Sequence, residues 1–221
     1  MSRALRYYQY LAPALLAPLS FYLWWTTYGN LAQVLVAWLV PVLWAYIVPG
    51  VGTNVLKVWE FDVGWKLGRF RPHHGFVFGS ATATIAWLLH GEAATTIWDA
   101  ARYSIVLCSV LGFWNLLYDI RALKAGVLRV YNQPWAEGRG EEATAMDYAP
   151  WFFGGFGAAY GFAVAGFEWF VGRFGVPDFA GAALALLLAL VFSIALPVLG
   201  FIRQSLKRHG HPGTRPVGRT S

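Results

Sequence analysis

The chain has 221 residues, of which 57% are hydrophobic and only 13% charged, and it carries a net charge of +6. Soluble domains carry about 25% charged residues, so a soluble globule of this composition is excluded, and the positive mean hydropathy points to an all-α, polytopic integral membrane bundle. The positive charge does not imply nucleic acid. The basic residues follow loops on one side of the apolar segments, where anionic membrane lipids account for them.

In chain order, Arg3 and Arg6 precede an apolar run over residues 8–28. Pro13, Pro18 and an ending in Tyr-Leu-Trp-Trp differ from the small-residue cleavage site of a signal peptide, so a retained span is predicted. Further spans are predicted over residues 31–49, 75–89, 103–120, 148–170 and 179–202. Most approach the roughly 20 residues needed to cross a bilayer core, the third being the shortest. Six spans place both termini on one side. Of the 17 Lys and Arg, all but Arg102 and Arg173 fall on that side, which makes it cytoplasmic by the positive-inside rule. The expectation is a multi-pass protein of a plasma or inner membrane, with residues 1–221 forming a single membrane domain and residues 203–221 a basic, disordered cytoplasmic tail.

The inner segment 50–72 alternates Trp59, Phe61, Val63, Trp65 and Leu67 with Glu60, Asp62, Gly64 and Lys66. Alternation is a strand signal, but a lone strand in a helical membrane protein leaves its backbone unpaired. A segment lying along the cytoplasmic interface is therefore expected. The second inner segment, 121–147, continues the fourth span and then meets turn signals at Asn132, Pro134, Gly138 and Gly140. Within the spans, small residues recur at helical spacing: Gly75, Gly79 and Ala83; Ser104, Cys108 and Gly112; Gly157 and Gly161. Such stripes let helices approach closely, and glycines among aromatic rings also leave slots for a lipid chain. Cys108 is the single cysteine, so neither a disulfide nor a cysteine metal site is available.

The polar candidates gather at the inner ends of the spans. Asn115 and Asp119 lie four residues apart on one helix face, flanked by Tyr118 and Arg121. An acid near hydrocarbon is costly, and it either pairs with a neighbouring Arg or serves a function. Glu60, Asp62, His73, His74 and Asp119 are the acid-base candidates; histidine suits that work because it titrates near neutral pH. Arg69, Arg71 and Arg121 are candidate anion anchors, with Asn115, Tyr118, Asn132 and Asp147 as further substrate-binding groups. Together these residue types can clamp a phosphate or diphosphate while an acid and a base work on the attached chain. The competing reading makes Lys66, Arg69 and Arg71 orientation signals and His73 and His74 an interfacial cap.

Haem is disfavoured. His74 and His90 are roughly sixteen residues apart on one span, about 24 Å along a helix, and partner ligands are lacking. Adjacent histidines point about 100° apart on a helix, which does not suit a non-haem cluster. A divalent cation held by Glu60, Asp62 and one histidine remains an open arrangement. His90 is expected to satisfy Glu92, Asp99 and Arg102 at the outer boundary.

No Walker A loop, dinucleotide fingerprint, HExxH helix or aspartate-rich motif is present. The leading expectation is a small membrane enzyme using acid-base chemistry on an isoprenoid or acyl lipid at the cytoplasmic interface. A non-catalytic subunit or assembly factor of a membrane redox or pigment complex, with a membrane-protein partner, is the alternative. A small-solute transporter is the third reading, weakened by charges at the span ends and by the lack of a repeat.

Overall fold

The computed structural model describes residues 3–218, and the fold is predominantly helical. Helix α1 (Arg3–Tyr28) is followed by α2 (Leu31–Val55), strand β1 (Trp59–Phe61), α3 (His74–His90) and α4 (Ile97–Lys124). Strand β2 (Leu128–Val130), two short helices, α5 (Gln133–Ala136) and α6 (Gly140–Ala149), then α7 (Phe156–Phe174) and α8 (Phe179–His209) complete the chain. Three helices, α2, α4 and α8, are long and apolar enough to cross a membrane. The surface distribution agrees with a lipid environment: Leu187, Leu188 and Val191 are exposed on α8, while Arg71, His74 and Glu168 are buried.

Close contact between helices follows the small residues. A methyl group on Gly157 would lie 2.5 Å from the Leu107 carbonyl oxygen, and one on Gly161 2.9 Å from that of Tyr103; α4 and α7 therefore touch backbone to backbone. Gly79 meets the Val42 backbone in the same way, joining α2 to α3. These seams are the close packing expected of the stripes.

Two prolines explain two of the interhelical hydrogen bonds. Pro41 offers no N–H to the carbonyl four residues earlier, Ala37, and Pro197 none to Ser193. The Tyr160 hydroxyl donates to the Ala37 carbonyl, and the Trp44 indole donates to the Ser193 carbonyl at 2.9 Å. Neighbouring helices thus satisfy carbonyls that hydrocarbon could not.

The helix limits differ from the expectation where capping decides them. Helix α4 starts at Ile97 rather than at 103, because Thr96 and Asp99 form a reciprocal capping box. Helix α8 runs past 202 to His209, with Lys207, Arg208 and His209 in its last turn, where cations favour the negative end of the helix dipole. The chain after it packs back on the bundle. Ser205 Oγ donates to the His211 carbonyl at 2.8 Å, and the Val217 N–H to the Tyr131 carbonyl at 2.9 Å. Residues 203–209 are thus helical where a disordered tail was expected.

A second correction concerns the alternating segment. It does form a strand, because β1 pairs antiparallel with β2, with Trp59 opposite Val130, Glu60 opposite Arg129 and Phe61 opposite Leu128. The lone-strand objection fails because the partner comes from the far side of two helices. Gly52, without a side chain, admits the Trp59 ring; a Cβ there would sit 2.3 Å from it.

Candidate functional site

The turn that follows β1 determines where Arg71 lies. After Phe61 the chain doubles back, and the Phe61 N–H donates to the Arg69 carbonyl at 3.0 Å. Asn54 pins the turn between them, its Oδ1 accepting the Arg69 N–H at 2.8 Å and its Nδ2 donating to the Leu67 carbonyl at 3.2 Å. Gly68 adopts φ +64° there, and any side chain would meet Asn54 Oδ1 at 2.5 Å. The strand's inward residues and this turn carry Arg71 to the inside, where it is 2% exposed.

Arg71, His74, Tyr118, Asp119 and Tyr148 reach a chamber of about 60 Å³ at the β1–β2 end of the bundle, whose remaining walls are apolar and aromatic, room for a few water molecules. Arg71 Nη2 lies 2.8 Å from His74 Nδ1. A guanidinium can only donate, so Nδ1 accepts and the ring proton sits on Nε2. His74 is thereby a neutral imidazole that presents an N–H donor. Phe61 and Phe78 pack against its ring, and Phe61 also lies under the Arg71 guanidinium, 5.3 Å from centroid to Cζ. Asp119 Oδ2 accepts the Tyr148 hydroxyl at 2.6 Å.

Arg71 has no carboxylate within ion-pair distance among the described residues, and its Nε is buried without a hydrogen-bond partner. Asp119 and Tyr118 act on it electrostatically, but no direct ion pair offsets the cost of burying the charge, which suits a cation held this way beside a cavity to an incoming anion. A second cavity, of about 360 Å³, shares Arg71, His74, Phe78 and Tyr118 with the chamber and runs along α3 past Thr82 to Ile85. From His74 to Ile85 is about 16 Å at 1.5 Å per residue. Tyr8, Trp114 and Asn115 line its other side, and Asn115 Nδ2 is buried without a partner.

Of the sequence candidates, the structure brings together Arg71, His74, Asn115, Tyr118 and Asp119, and not the others. Glu60 faces outward, accepting the Tyr131 hydroxyl at 2.8 Å with Lys66 at 3.8 Å, and Asp62 pairs with Arg129 at 2.8 Å. Arg69 donates to the Lys57 carbonyl and stacks over Tyr131. Arg121, two residues beyond Asp119 and so across the helix from it, is exposed. His73 lies outside both cavities, its ring stacked with Tyr10 and Trp65; burial, and then the nearby Arg71, hold it below its ordinary pKa. Asn132 and Asp147 belong to a separate cluster, in which Asn132 Nδ2 donates to Asp147 Oδ2 at 3.1 Å and His209 Nε2 lies 2.8 Å from Oδ1. Among the described residues no group of three His, Cys, Asp or Glu is placed to hold a metal ion.

Sequence reasoning passed over Tyr148, the partner of Asp119, and Glu168. Tyr148 carried only the weak signal of an aromatic hydroxyl beside the proline that opens a span. Glu168 sits deep in α7 and is 4% exposed. It takes up His90, which was expected to meet Glu92, Asp99 and Arg102, and also accepts the Tyr28 hydroxyl at 2.5 Å and the Ala94 N–H at 3.0 Å. Asp99 instead caps α4. The signal was available in the rule that a carboxylate inside an apolar span points inward to a partner.

No family model, curated protein or solved structure matches the chain.

Proposed function

We propose that the chain is a six-span membrane enzyme, with both termini cytoplasmic, that performs proton-transfer chemistry on a lipid with an anionic head. The observation that carries this reading is Arg71: a buried guanidinium with no carboxylate within ion-pair distance and an orphaned Nε, set in the wall shared by a small chamber and a longer cavity, both lined mainly by apolar groups. Charge-assisted hydrogen bonds from arginine are the strong ones for carboxylate and phosphate. The head would be bound by Arg71, with the His74 Nε2–H as a further donor, and the chain would lie along α3 in a cavity about 16 Å long. An acyl chain or a short isoprenoid suits that length and lining. Asp119, bridged to Tyr148, is the proton-accepting group, and Tyr148 positions it. Asn115 offers an N–H to an oxygen partway along the chain.

The test is mass spectrometry of the lipids that co-purify in mild detergent, followed by turnover of the lipid found. Wild type is expected to retain an anionic amphiphile, Arg71→Leu to lose it at least tenfold, and Asp119→Asn to retain it while turnover fails. Equal retention by wild type and Arg71→Leu, both being folded, would refute the reading.

A further inference from the structure

Away from the chamber, the last turns of α8 form a groove that the proposed chemistry does not use. Residues Gly200, Arg203, Gln204, Lys207 and Arg208 fall on one stripe of the helix by their three- and four-residue spacing, and with Trp151 they line a cavity of about 380 Å³. The Trp151 ring fits only because residue 200 is glycine; a Cβ there would lie 2.1 Å from it. Its indole N–H donates to Gln204 Oε1 at 3.0 Å, and Gln204 Nε2 donates to the Asp147 carbonyl at 2.8 Å. The aromatic wall is therefore held in place from both sides.

The charges around this wall are unspent. Lys66, Lys124, Arg129 and Arg139, at the same end of the bundle, each have a carboxylate within 4 Å. Arg203, Lys207 and Arg208 have none among the described residues, and no hydrogen-bond partner either. The helix dipole accounts for cations in the last turn, but its effect falls off within that turn; Arg203 lies a turn further in. A tryptophan ring beside two guanidiniums and an ammonium combines the interfacial preference of indole with the donor set for a phosphate.

We infer that Trp151, Arg203, Lys207 and Arg208 form a binding site for a phosphate-bearing headgroup, independent of the chamber and of its chemistry. The glycerol part of an anionic phospholipid would rest on the indole and its phosphate would meet the cations.

The experiment uses the full chain in nanodiscs of phosphatidylcholine doped with phosphatidylglycerol, with bound phosphatidylglycerol counted by native mass spectrometry. The triple variant Arg203→Gln/Lys207→Gln/Arg208→Gln is expected to lose retention about tenfold. The control Lys124→Gln/Arg129→Gln/Arg139→Gln removes the same charge from the same end and is expected to lose less than twofold. Equal loss in both, or none in either, overturns the site in favour of general surface charge or annular lipid. A single Arg203→Glu exchange at this exposed position repeats the test with minimal risk to folding. Millimolar inorganic phosphate that displaces the lipid assigns the site to soluble phosphate; failure to displace assigns it to the lipid.

Discussion

At Arg71 and His74 the geometry makes a statement about a proton. Because the guanidinium donates to Nδ1 at 2.8 Å, His74 should be held in the Nε2–H tautomer. Nitrogen-15 NMR of histidine-labelled protein is expected to show that tautomer at neutral pH, and Arg71→Leu to release the preference; an Nδ1–H signal in wild type would contradict the arrangement. Glu168 permits a second prediction. Its oxygens collect His90, Tyr28 and the Ala94 N–H in a buried setting, and a buried donor left unsatisfied costs about 1–3 kcal/mol. Glu168→Leu is therefore expected to lower the thermal midpoint in detergent clearly, whereas Glu141→Leu, on an exposed position, should leave it nearly unchanged. The contrast between readable and unreadable residues is physical. Arg71, His74 and Asp119 stood out because ionisable groups at the edge of hydrocarbon need partners or a task. Glu60 and Asp62 looked equivalent to them, and only the pairing of β1 with β2 shows that their faces point outward to Tyr131, Lys66 and Arg129.

The elements were legible in proportion to how local their causes are. Apolar runs outlined the long helices, and glycine stripes foretold the α4–α7 seam. The β1–β2 pairing was invisible because half of its signal lies beyond two helices, and the start of α4 was misplaced because its cap precedes the apolar run. Prolines carry a testable consequence at this scale. Tyr160→Phe strands the Ala37 carbonyl that Pro41 leaves without its amide, and a loss of about 1–3 kcal/mol in unfolding stability is expected. In the Pro41→Ala background the residue-41 amide is restored, so the same exchange should cost less. A double-mutant cycle in detergent checks the coupling; additive effects would show that the hydroxyl serves some other role.

For the whole molecule, six spans require the α6–α7 junction and the α7–α8 loop to lie on opposite sides of the membrane. In a Cys108→Ser background, Glu141→Cys and Val176→Cys are expected to react with a membrane-impermeant thiol reagent from opposite faces, Glu141→Cys from the cytoplasmic one. Labelling from the same face would remove the six-span topology while leaving the three long apolar helices intact.

The pairing of β1 with β2 also sets an order in time. The Arg129–Asp62 contact closes a separation of 67 positions, and helices α3 and α4 lie within that loop. Contacts of such long range form late because loop closure must come first. During synthesis the chain reaches Arg71 well before β2, whose Leu128 lines the chamber beside it, and Asp119 before the tyrosine that binds it. The chamber is therefore complete only once β2 and Tyr148 have been made and have packed beside Arg71.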